Sequence, residues 1–124
     1  LSDKDRVFWY FGEFKPGETQ LNQTDFSDNG IRKILLDKNA AAHAEVKRLE
    51  DELAKRQIAD STFKRLAVEA KSQKSALMVL IKTDDKAKYR NVIDILDELS
   101  IASVGKYAVV DMMKDEYDLI QKMN

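Results

Sequence analysis

The rhythm of apolar and polar positions changes several times along this chain, and each change marks a predicted element. In "RVFWYFGEF", Arg6 to Phe14, β-branched and aromatic residues crowd together, which predicts a strand. Alternation sends Val7, Trp9 and Phe11 to one face and Phe8 and Tyr10 to the other. Both faces are apolar, so this strand needs cover on two sides, from the domain's own helices or from a partner. "KPGE" follows, with Pro16 and Gly17 at the two central positions of a type II turn. Proline presets φ at the first and glycine supplies positive φ at the second. "TQLN", Thr19 to Asn22, is then the short returning strand of an N-terminal β-hairpin.

After the loop "TDFSDNG" the period changes to that of a helix. Ile31, Leu35, Ala42, Val46, Leu49 and Leu53 form one narrow apolar stripe at three- and four-residue spacings. Charges cover the rest, with Asp51 before Lys55 and Glu52 before Arg56 in the favourable i,i+4 order. A continuous helix from Ile31 to Gln57 would span roughly 40 Å, whereas a compact domain of this size has a radius of gyration of only about 14 Å. The helix must therefore bend, break or project. "IADS" ends it, with Asp60 a candidate N-cap for a shorter helix whose inner face is Phe63, Leu66, Ala67 and Ala70. These helices form an inserted αα-hairpin, an insert at about 40–75. Leu77 to Lys82 is a continuous apolar run suited to a sheet interior. Tyr89, Val92, Ile93, Leu96 and Leu99 stripe the next helix, Gly105 ends a loop, and Tyr107 to Val110 reads as another buried strand. Strand, helix and strand make a C-terminal βαβ unit with parallel strands, and "KDEYDLIQKMN" predicts a short terminal helix. The fold class is α+β: a small mixed sheet with helices packed on one face, in a single domain over 1–124.

Composition narrows the function. With 21 Lys and Arg against 22 Asp and Glu, the net charge of −1 gives no basic field, which argues against nucleic acid. The chain lacks cysteine, so it has no disulfide framework, no thiol nucleophile and no Cys-based zinc site. No apolar run approaches the ~18 residues of a membrane span, and no stretch from Leu1 onward reads as a signal peptide. The chain opens on Leu1 rather than Met, and we expect a segment upstream of it.

Each candidate for chemistry meets a plainer explanation. Asp84, Asp85 and Asp111 lie near the carboxyl ends of the two predicted parallel strands, where open α/β sheets bind ligands and carboxylates hold Mg²⁺. That is the enzyme reading, a phosphoryl-transfer site. The favoured alternative has Asp84 or Asp85 capping the Tyr89 helix, because no glycine-rich phosphate cradle accompanies them. Asp94, Asp97 and Glu98 fall on the polar side of their helix and read as a solvated face. His43 has no second histidine or cysteine to complete a metal set. Phe8, Trp9, Tyr10 and Phe11 read as core strand rather than a stacking platform. The Ala42–Leu53 stripe is too short for a coiled coil. No catalytic constellation and no cofactor site remains, which argues against an enzyme.

"LIKTDDKAKYRNVIDILDEL…GKYAVVD" resembles the C-terminal periplasmic domain of the ExbD/TolR family. The shared features are an apolar strand ending in an acid, a tyrosine five residues on, an amphipathic helix and a short apolar strand. They fall on Ile81, Asp84, Tyr89, Val92, Leu96, and Tyr107 to Val110. "VFWYFGEFKPGETQLN" and "DFSDNGIRKIL" look like the ExbD variety with a long helical insert, which departs from the shorter members. The resemblance implies the periplasmic part of a single-pass inner-membrane protein in a proton-motive-force-coupled motor. Its implied partners are an ExbB-like membrane subunit, a TonB-like protein and a second copy in a homodimer. It also implies a role in energising outer-membrane uptake. The TolR side of the family implies envelope integrity and contact with peptidoglycan instead. The proton-relaying aspartate of such motors lies in the membrane segment, so none of the acids here takes that role. The expected working parts are exposed strand edges: first Tyr107, Ala108, Val109, Val110 and Asp111, then Trp9 and Tyr10 on the aromatic strand.

Overall fold

The computed structural model describes residues 1–123. An N-terminal hairpin forms from β1 (Val7–Trp9) and β2 (Asn22–Thr24), antiparallel, with Val7 opposite Thr24 and Trp9 opposite Asn22. The paired stretch is shorter than the aromatic run, and the returning strand begins where "TQLN" was expected to end. Gly12, at φ +74°, turns the chain out of extended geometry before the strand reaches Phe14. The turn at Pro16–Gly17 is present, with the Glu18 N–H donating to the Lys15 carbonyl at 3.0 Å and Gly17 at φ +80°.

Helix α1 (Ile31–Lys38) and helix α2 (Ala40–Ala54) are the two halves of the long helix, kinked at Asn39. The kink has a cause in tertiary structure. The buried Asn39 donates from Nδ2 to the Ala102 and Ser103 carbonyls at 2.9 and 3.1 Å and accepts the Leu77 N–H at 3.1 Å. One side chain thereby joins the bend to two later segments of the chain. Helix α3 (Asp60–Lys71) folds back on α2, closing the inserted αα-hairpin. Asp60 is its first helical residue, with Ala59 in the cap position rather than Asp60.

Strand β3 (Met78–Ile81), helix α4 (Tyr89–Ile101) and strand β4 (Lys106–Val109) form the βαβ unit, its strands parallel with Leu80 opposite Ala108 and Ile81 opposite Val109. Helix α5 (Lys114–Lys122) ends the described chain. Gly105, before β4, is required by close approach, since a Cβ there would lie 2.5 Å from Lys71 Cβ. The fold is α+β as expected, but its strands lie in two separate two-stranded ladders instead of one mixed sheet. The main core gathers Val7, Ile31, Leu35, Ile81, Ile95, Leu99 and Val104 from both ladders and from α1 and α4.

Three expectations change here. The α4 stripe is rotated: Tyr89 is 80% exposed and Ile93 is exposed, while Asn91, Ile95, Glu98 and Leu99 face inward. Asn91 turns inward because it caps the helix, its Oδ1 accepting the Lys88 N–H at 2.9 Å and its Nδ2 donating to Asp5 at 2.9 Å. Glu98, read as solvated, is buried and held by both Arg32 Nε at 2.8 Å and Nη2 at 3.1 Å. Strand β4, read as buried, leaves Tyr107, Val109 and Val110 exposed, because among the described residues the packing that covers Val79 and Ile81 on β3 does not extend over β4.

Candidate interaction surface between two strand pairs

A strand sends the N–H and C=O of alternate residues to opposite edges. In β3 the Ile81 carbonyl accepts the Val110 N–H at 2.9 Å, so Ile81, and Val79 with it, face β4. Met78, Leu80 and Lys82 therefore face the other way, toward the β1 hairpin. There the Lys82 carbonyl accepts the Leu1 nitrogen at 2.8 Å, and Asp84 N–H donates to the Leu1 carbonyl at 3.1 Å. Leu1 occupies one position of a third row beside β3. β1 lies across a cleft of about 380 Å³ rather than against β3. Trp9, Phe11, Leu21, Ile34, Leu35 and Leu80 are among the residues lining this slot.

The slot's two ends differ in chemistry. Near Lys82 it is closed by a clasp from three elements: Lys82 Nζ lies 2.8 Å from both Glu116 carboxylate oxygens and 3.2 Å from Tyr10 Oη, which itself donates to Glu116. Burial works to raise the Glu116 carboxyl, but hydrogen bonds from Lys82, Tyr10 and the Met113 N–H leave it below its ordinary range. Burial likewise works to lower the Lys82 ammonium, and the bonds to Glu116 and Tyr10 hold it above its ordinary range. Tyr10 is raised, by burial first and then by its bond to Glu116. At the other end Asn39 anchors Leu77, and the neighbouring Lys38 places its ammonium 4.8 Å from the centre of the Phe11 ring. Among the described residues Lys38 has no carboxylate within ion-pair distance.

The residues singled out in the sequence separate into two surfaces. Trp9 and Tyr10 line the slot, Trp9 edge-on to Phe11 with ring centroids 5.4 Å apart. Tyr107, Val109, Val110 and Asp111 are exposed along β4, with Ala108 half-buried among them. Val92 and Leu96 pack against the core. Asp84 is buried, accepting from Ser2 Oγ and from the Lys86 N–H at 2.9 Å, so it ties the chain's first residues to the turn after β3 and does not cap α4. Both its oxygens are engaged, while Asp85 and Asp111 are exposed, and no three acids or histidines converge among the described residues. His43 Nδ1 lies 2.9 Å from Ser103 Oγ. Neither Lys82 nor Glu116 carried a local signal. Each is one charged residue at the end of an apolar or helical segment, and only the fold brings them within 3 Å.

No family model, curated protein or solved structure matches this chain.

Proposed function

We propose that this chain works by protein–protein contact, as the periplasmic domain of an ExbD-type subunit of a proton-motive-force-coupled motor. The observation that carries the contact reading is the open edge of β4, which pairs with β3 on one side only and leaves Tyr107 and Val109 exposed. Bare edges take up strands from other chains through main-chain hydrogen bonds, with pockets for alternate side chains supplying selectivity. The motor reading rests on the succession from Ile81 through Asp84 and Tyr89 to Tyr107, which here spans the βαβ unit that carries this edge. The domain has no chemistry of its own to perform in this reading. It grips, and force reaches it from a membrane-embedded subunit of the ExbB kind, to be passed to a TonB-like partner.

The gene sequence upstream of Leu1 tests the motor part. About 20 apolar residues interrupted by a single aspartate are expected there. A start codon directly before Leu1, or a soluble domain in that place, ends the motor reading and leaves the contact reading standing.

A further inference from the structure

We propose that the patch formed by Lys4, Lys86, Lys88, Tyr89 and Arg90 binds the surface of an anionic phospholipid bilayer. This goes beyond the contact and motor readings above and rests on neither. Two distant segments build the patch. Lys4 and Asp5, both at φ +58°, are the central residues of a turn closed by the Arg6 N–H donating to the Asp3 carbonyl at 3.2 Å. Asp5 docks that turn on the start of α4, accepting from Arg90 Nη2 at 2.8 Å and from Asn91 Nδ2 at 2.9 Å. Lys4 thereby stands near the turn that carries Lys86 and Lys88. Asp3 registers the charge of both sides: its bond from Arg6 first, then the attraction of Lys86 and Lys4, holds it below the ordinary carboxylate range. Asp5 is lowered by its bonds from Asn91 and Arg90, with Lys88 adding its charge.

Local structure disfavours the residues found here. Left-handed φ at both centres of a turn favours Asn, Asp or Gly, and Lys4 is none of these. Helix starts favour Ser, Thr, Asp or Asn at the cap and acids in the first turn. Yet Lys88 holds the cap position of α4, Arg90 follows it, and the first turn has no acid. The Lys4, Lys86 and Lys88 side chains are exposed and pair with no carboxylate among the described residues. Asp85, exposed on the same turn, offsets one of the three. Tyr89 among them is 80% exposed, the most exposed large apolar side chain of the described residues. Residues held against local preference with no internal gain mark a surface kept for a ligand. Its charge selects an anion. None of these residues lines the slot or the groove between α2 and α3, so nothing here encloses a small one. Lysine is depleted at protein interfaces. Free lysines around an exposed tyrosine suit a bilayer instead, where ammoniums meet a diffuse negative potential and the ring lies at headgroup level.

Vesicle flotation of the whole chain tests this, with phosphatidylcholine alone and with about one-third phosphatidylglycerol added. Binding should require phosphatidylglycerol and fall steeply with added salt. Lys86→Ala and Lys88→Ala should each weaken it roughly fivefold, whereas Lys64→Ala, at an exposed lysine on α3, should leave it unchanged. Lys4→Gly separates the surface from the scaffold. It should also weaken binding roughly fivefold, and yet raise Tm by about 2–4 °C as the left-handed strain is removed. Tyr89→Ala should weaken binding with Tm nearly unchanged. Four results overturn the inference: no binding to phosphatidylglycerol vesicles at low salt, an equal loss in Lys64→Ala, a lower Tm in Lys4→Gly, or capture by polyglutamate that these vesicles fail to compete. The last would make the occupant an acidic protein segment.

Discussion

A carboxylate as enclosed as Glu116 persists in its charged form only while its donors surround it. Lys82, Tyr10 and the Met113 N–H supply them, each at the closed end of the slot. The folded-state Glu116 value lies below the ordinary 4.5, so its contribution is present above about pH 4.5 and is lost as pH falls through the lower folded value. Lys82 is raised above 10.5, so its contribution is full below that value and is lost only as pH rises through the higher one. The clasp is therefore intact across neutral pH and opens first on the acid side. Glu116→Gln should cost about 2–4 kcal/mol at pH 7, because Lys82 keeps its charge in a half-closed site with no counter-charge. The loss should shrink as pH falls below 4.5 and through the lower folded value of Glu116, where the wild type also loses the ion pair. Urea unfolding of both proteins from pH 3 to 7 checks it; parallel stability curves over that range would remove Glu116 from the account. Adding Lys82→Met to Glu116→Gln should recover part of the loss, since it removes the stranded charge.

Among the elements, the αα-hairpin stands apart from the rest. Its apolar contacts are its own, with Ala42, Val46 and Leu49 of α2 against Ala67 and Ala70 of α3, and none of these belongs to the core that joins α1, α4 and both ladders. Asn39 and the close contact of Gly105 with Lys71 attach its base, while Ala54 to Asp60 at its tip are exposed or half-buried. Such a unit opens without the whole domain. Native-state hydrogen exchange in low urea should therefore show α2 and α3 amides exchanging through an opening at least about 1–2 kcal/mol below that of α4. If all three helices exchange through one global opening, the insert is part of the main cooperative unit. Periodicity made this hairpin legible, because its stripe belongs to local spacing. The kink at Asn39 was not legible: the partners that favour it, Ala102, Ser103 and Leu77, lie some 38 to 64 residues away. The face of α4 misled for a related reason, since Asn91 turns inward to meet Asp5 and Lys88, and Tyr89 turns out in consequence.

At the scale of the whole molecule, class and topology could be read from the chain because each ladder and helix is built by neighbours in sequence. The division into two ladders could not, since a strand's pattern says which residues face in and not whether its far edge finds a mate. The same limit hid the slot, whose walls come from β1, α1, β3 and α5, and concealed how much of β4 stays open. That open edge has its own consequence. β4 pairs with β3 on one side only, Tyr107 and Val109 are 49% and 57% exposed, and a net charge of −1 gives copies little long-range repulsion. Four residues per strand bury too little for a tight dimer. We therefore expect reversible self-association through antiparallel β4–β4 pairing, with a Kd of about 0.1–1 mM. Val109→Lys places a charge within that contact without disturbing a buried residue, and should leave thermal stability nearly unchanged while sedimentation stays monomeric to millimolar concentration. Lys38→Ala, which lies on the slot, should leave self-association as in the wild type. If Lys38→Ala weakens it and Val109→Lys does not, copies meet through the slot and β4 is a solvated edge.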